Sequence, residues 1–188
     1  MKPNKTQSGY TLIESIAVIA ILTAVVGTII KTISHMHDRY RVSRLTSQIV
    51  ELEKAINTRF SASENYSRLN AKLIKDEKLA PSDINWGGSS TNPFMTHKFG
   101  GNITISTTGA SPHEYTITFT NIPVVPCVEL ATQNWAHNQY SNLSYMEVND
   151  NKLEWITSSE EHRMPISTAA ANEFCNSELN NTIKWTFQ

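Results

Sequence analysis

Between Tyr10 and Pro81 the chain has no proline, and between Tyr10 and Trp86 its one glycine is Gly27. Proline breaks a helix interior and glycine weakens it, so this stretch has nothing that would force an early stop. Catalytic signatures are also missing. There is no GxSxG, no phosphate-binding glycine loop and no dinucleotide fingerprint, which removes the commonest hydrolase, nucleotide and dehydrogenase readings. The six histidines are scattered. His35 and His37, two apart, point to different faces of a helix, and Glu160-Glu161-His162 lacks the HExxH spacing that presents two imidazoles to one zinc. Cys127 and His137 offer a thiol and a base with no third group to orient them. No enzyme activity, cofactor or metal is expected. The formal net charge is -1. Basic residues gather nowhere outside Lys31 to Arg44, so nucleic acid is not expected as a primary ligand.

What is present begins with an apolar run. Glu14 is the only charged side chain between Tyr10 and Ile30. Those roughly 21 positions would span about 30 Å as a helix, the thickness of a hydrocarbon core. A carboxylate in such a run costs on the order of 3 kcal/mol, so Glu14 calls for a partner or a use. Residues 1–9 form a short polar leader with Lys2 and Lys5. No A-x-A-like site follows Ile30, which argues against an ordinary secretory signal. A plain signal anchor would have no need of Glu14, and a buried core helix fits a run of this length less well than a membrane span does. Lys31, Arg39, Arg41 and Arg44 follow the run while Lys2 and Lys5 precede it, so positive charge alone does not set the orientation. Ala17, Ala20, Ala24 and Gly27 fall on one helical face, where small side chains allow close helix approach. The alternative is that alanine and glycine are simply common in spans.

Beyond the run, Leu45, Ile49, Leu52 and Ile56 keep the helical period with charged residues between them. The pattern predicts one helix of about 50 residues from Tyr10 to Phe60, its first half in lipid and its second on a domain. The remaining chain suffices for one core. A helix is expected over 67–79 with Leu69 and Leu73 inward, then an irregular stretch through Trp86-Gly87-Gly88 to Asn92-Pro93. Alternating runs predict a hairpin of 102–108 with 114–120, and a second of 144–148 with 152–157 turning at Asn149-Asp150-Asn151. Helices over 128–137 and 168–175 and a strand over 182–187 complete the plan. Trp86, Trp135, Trp155 and Trp185 are expected in the core or at its edge. Cys127 and Cys175, the only two cysteines, are most simply a disulfide in an exported domain. Two buried free thiols are the alternative.

The run Gly9-Tyr10-Thr11-Leu12-Ile13-Glu14 resembles the processing site of type IV pilins. In that family a membrane peptidase cuts after the glycine and methylates the new amine, leaving a glutamate as the fifth mature residue. Asn92-Pro93-Phe94 with Gly100-Gly101, Ile122-Pro123 with Cys127, and Ala169-Ala170-Ala171 before Cys175 with Asn181-Thr182-Ile183 are similar to the type IVb thin-pilus and conjugative-pilus branch. The leader is short for that branch, and the helix-distorting proline usual in the family is absent. The resemblance implies an α+β pilin fold: a long N-terminal helix packed on an antiparallel sheet, with a C-terminal disulfide loop. It divides the chain into a leader (1–9), a transmembrane and assembly half-helix (10–30) and a globular head (31–188). It also implies processing at Gly9 and Tyr10 and assembly through Glu14, Ala17, Ala20, Ala24 and Gly27. The implied partners are other pilin subunits, a prepilin peptidase and methyltransferase, inner-membrane assembly machinery, and the membrane itself before assembly. The expected location is the inner membrane with the head in the periplasm, then an extracellular pilus serving adhesion, aggregation or conjugative contact. Two other readings stay open, a type II secretion pseudopilin and a singly anchored periplasmic binding protein.

Overall fold

A computed structural model describes residues 12–63, 65–108, 111–135, 142–157 and 159–188. The chain divides into two compact units, Met1–Arg39 and Tyr40–Gln188. Helix α1 runs Leu12–Phe60, in agreement with the expected uninterrupted pattern. In the first unit, Ile13, Ile16, Val18, Ile19, Ile21 and Leu22 are all exposed. Among the described residues no helix is long and apolar enough to cross a membrane. The expected span over 10–30 starts before the first of them.

The second unit is built on a sheet. Its strands are β1 (Asn85–Gly88), β2 (Pro93–Thr96), β3 (Asn102–Thr108), β4 (Ser111–Ile122), β5 (Leu143–Val148), β6 (Asn151–Glu154) and β7 (Asn181–Phe187). They form one sheet in the order β1-β2-β3-β4-β7-β5-β6, antiparallel throughout. Leu45, Ile49, Leu52 and Ile56 of α1 are fully buried in one core with Ile103, Ile117, Phe119, Met146, Ile183 and Trp185 of the sheet. Each such α1 side chain contributes about 1.5–3 kcal/mol by leaving water. Polar ties add direction, for Tyr115 donates its hydroxyl to Asn57 Oδ1 on α1 at 2.9 Å. Trp135 and Trp185 are buried, and Trp86 and Trp155 pack half-buried against the core.

Besides β6, which ends at Glu154 and not at 157 as expected, three elements differ from the sequence reading. Helix α2 covers only Ala71–Asp76. Asn70 caps it, its Oδ1 accepting from the Leu73 N–H at 2.9 Å, and this fixes a later start that turns Ile74 rather than Leu73 fully inward. The stretch expected to be irregular is the hairpin β1–β2. Gly87 lies under the Phe94 ring, where a Cβ would sit 2.3 Å from Cζ, so glycine here serves close strand approach and does not break the strand. Helix α3 covers Val124–Ala131, earlier than 128–137. Pro126 falls in its first turn, where no backbone donor is needed, so the proline starts the helix instead of delaying it.

Candidate functional site

The C-terminal half of the second unit is organised by a disulfide. Cys127 in α3 and Cys175, which follows α4 (Thr168–Phe174), are bonded across 48 residues with their Cα atoms 5.9 Å apart. Both are buried. The closed loop carries β5, β6, a 3₁₀ turn at Glu160–His162 and α4. The chain then leaves the loop and returns as β7 between β4 and β5.

Two asparagines lock that return. Asn149 and Asp150 form the two-residue turn between β5 and β6, with φ of 46° and 68°. Left-handed backbone at both positions is what this turn requires, and asparagine and aspartate tolerate it better than other side chains. From the turn, Asn149 Nδ2 donates to the Phe174 carbonyl at 2.8 Å and to Asn181 Oδ1 at 2.7 Å. Its Oδ1 accepts from the Thr182 N–H at 2.8 Å. Asn181 is fully buried, and its Nδ2 donates to the Ile122 carbonyl at 2.9 Å and to the Ser177 carbonyl. A buried amide with all of these partners is stabilising, and the same amide with one of them removed would be costly. Outside the clasp, Lys184 of β7 pairs with Glu147 at 2.9 Å and reaches Asp150 at 3.3 Å. The Glu147 hydrogen bond raises the Lys184 ammonium above its ordinary range.

Two further ionisable groups are buried. His97 follows β2, its Nδ1 accepting from the Phe99 N–H at 3.2 Å and its Nε2 lying 2.8 Å from the Thr120 carbonyl. Those partners select the neutral tautomer with the proton on Nε2, and burial lowers the imidazole pKa against the opposing effect of the Thr120 hydrogen bond. Glu53 on α1 accepts from the Asn142 N–H at 3.1 Å, yet burial pushes its carboxyl up.

The remaining candidates lie on α1. Glu14, Ala17, Ala20, Ala24 and Gly27 are all helical, and spacings of three and four put them near one face. Glu14, Ala17, Ala20 and Ala24 are exposed. Gly9 and Tyr10 lie outside the described residues. The sequence reading missed Asn149 and Asn181 as a pair. Asn-Asp between alternating runs signals the turn, but nothing local announces that the turn side chain reaches Asn181.

Comparison with known proteins decides the family, because residues 39–188 match the one described as PilS N terminal. The chain belongs to the PilS N terminal family. This PilS-family chain is 25% identical over 131 residues, 69% of its length, to the major structural subunit of the bundle-forming pilus of Escherichia coli O127:H6 (strain E2348/69 / EPEC). The corresponding protein of Escherichia coli O111:H- matches to the same extent. Each match spans 66% of the relative, just under two thirds of its length. Among solved structures, the type IV b pilin from Salmonella typhi superposes with a TM-score of 0.52 at 13% identity, covering 74% of this chain and 97% of that one. The fold is that of the type IV pilins, as the resemblance implied.

Proposed function

We propose that this pilin is the structural subunit of a type IVb pilus. It is made as a precursor, cut between Gly9 and Tyr10 by a prepilin peptidase that methylates the new amine, and held in the inner membrane with residues 31–188 in the periplasm. Assembly machinery then draws it into an extracellular filament of like subunits. The observation that carries this reading is the family match over 39–188, joined to a fold whose C-terminal loop is closed by Cys127–Cys175. The relatives that are major structural subunits of a pilus support it. Within the filament, Ala17, Ala20, Ala24 and Gly27 allow neighbouring helices to approach, and Glu14 pairs with the amine at Tyr10 of an adjacent subunit. That pairing offsets the cost of the carboxylate only when subunits are in register, so it favours correct docking and penalises slipped docking. Adhesion, aggregation or conjugative contact is the use of the finished filament.

The test is a strain making only Glu14→Gln, in which the amide keeps the shape and loses the charge. The mature chain should still begin at Tyr10 by mass spectrometry and reach its usual level in the membrane fraction, while most sheared surface filaments disappear. Filaments of normal number and length would overturn the charge pairing. Chains that retain residues 1–9 in the wild-type strain would overturn the processing.

A further inference from the structure

Pilus assembly as proposed leaves one sequence feature unused, the cations that follow the apolar run. Arg44 has an internal role, pairing with Asp83 at 2.8 Å. Arg41 and Lys98 do not, for neither takes part in an ion pair among the described residues. The Arg41 guanidinium instead lies 5.6 Å from the centre of the Phe99 ring. Tyr40, beside Arg41 in the chain, is 65% exposed. We propose that Tyr40, Arg41, Lys98 and Phe99 form a docking surface for anionic phospholipid headgroups, which holds the unit Tyr40–Gln188 against the membrane surface until assembly. The proposal rests on the membrane-held stage described above.

The fold presents this surface in a fixed form. Lys98 and Phe99 are the tip of the turn between β2 and β3, closed by the Gly100 N–H to the His97 carbonyl at 2.8 Å and the His97 N–H to the Gly101 carbonyl at 3.0 Å. Buried His97 pins the turn from beneath. Its ring bonds to Phe99 and Thr120 on its two nitrogens and stacks on Phe119 at 5.3 Å. Lys98 therefore stands exposed on a held backbone, with half-buried Phe99 next to it under Arg41. Cations on apolar stems beside exposed tyrosine and partly exposed phenylalanine suit a headgroup layer, where rings sit at the interface and charges reach phosphates. Tyr40 follows Ile30 by ten residues, at most about 15 Å of helix. The headgroup layer covers roughly 5–7 Å of that distance, and side-chain length with a Debye length of about 8 Å covers the remainder. This use also gives Arg41, and the internal pair with Asp83 gives Arg44, a reason to follow the apolar run other than orientation.

The experiment uses the full chain incorporated into lipid nanodiscs of phosphatidylcholine alone, or with about one lipid in four replaced by phosphatidylglycerol. A water-soluble amine-acetylating reagent is applied, and modification of each lysine is followed by mass spectrometry. Lys98 should react roughly fivefold more slowly on the anionic discs, the factor expected of one cation beside an anionic surface. In about 1 M salt, where the Debye length is about 3 Å, the difference should vanish. Lys54, exposed on α1 and fourteen residues past Tyr40, is the internal control and should react equally on both discs. The double variant Tyr40→Ser, Arg41→Gln should return Lys98 to its rate on neutral lipid with the disulfide still formed. Equal Lys98 rates on the two disc types would overturn the docking surface and leave the membrane stage standing. Slowing of Lys54 to the same degree would assign the effect to the lipid surface as a whole and overturn it too. A chain that does not enter either disc would overturn both the docking surface and the membrane-held stage.

Discussion

His97 ties the stability of the fold to pH at the scale of one residue. Burial lowers its folded pKa, an effect that the hydrogen bond to Thr120 only partly offsets. The unfolded chain therefore takes up a proton near pH 6.5 that the folded chain refuses. The stability this group contributes is fully present above about pH 6.5 and is lost as pH falls toward the lowered folded value, at no more than about 1.4 kcal/mol per pH unit. Glu53 acts with opposite sign. Its raised folded pKa makes the fold lose stability as pH rises from about 4.3 through that value. The difference between two proteins isolates the histidine. The wild-type melting temperature should fall more steeply from pH 7 to pH 5 than that of His97→Gln, although the variant starts lower because it gives up the Phe119 stack. Parallel melting curves across that range, followed by circular dichroism, would show that His97 is not the titrating group. Neither residue's role was legible in the sequence. A histidine among Thr96, Lys98 and Phe99 carries no sign of burial, and the Thr120 carbonyl that accepts its hydrogen bond is 23 residues away.

At the scale of elements, local pattern served where one period dominates. Leu45, Ile49, Leu52 and Ile56 are spaced for one helical face, and that face is the buried one. The hairpins β3–β4 and β5–β6 followed from alternation and turn chemistry for the same reason. The pattern failed where glycine and proline have roles that only neighbouring chain segments define, as in β1–β2 and at the start of α3. The pair Gly100-Gly101 makes this testable. Gly100 has φ of 84° with open space around it, whereas a Cβ on Gly101 would lie 1.8 Å from the Thr120 carbonyl oxygen and 2.5 Å from His97 Nε2. Gly100→Ala should cost about 1–2 kcal/mol, the strain of a left-handed backbone. Gly101→Ala must push β4 backbone aside and should cost more, beyond about 3 kcal/mol, with a correspondingly larger fall in denaturant midpoint. Equal costs for the two variants would mean that β3 and β4 can part there without penalty.

At the scale of the molecule, Cys127–Cys175 closes a loop of 48 residues in a chain with no other cysteine. The chain-entropy estimate for such a loop is about 4 kcal/mol, comparable to the whole stability of a small domain. Cys127→Ser with Cys175→Ser should lower the melting temperature by roughly 10 °C and reduce filament yield, with cleavage after Gly9 unaffected. A melting temperature insensitive to reductant would mean that the bond contributes nothing to the fold. The pairing itself was open to reading from the cysteine count, but the path of the chain after it was not. The last strand in sequence, β7, lies in the interior of the sheet, with Tyr115 to Phe119 of β4 on one side and Leu143 to Val148 of β5 on the other. Those pairings join residues far apart along the chain, a topology that forms slowly. Until the final segment arrives, β1–β4 and β5–β6 are two fragments, each with an open edge ready to pair with a stranger. β7 thus works as the keystone of the sheet, the one strand that joins its two groups. Any change that keeps residues 181–187 from pairing leaves two unjoined groups of strands and opens two edges at once, so damage to this one strand costs the sheet its unity and not merely a margin.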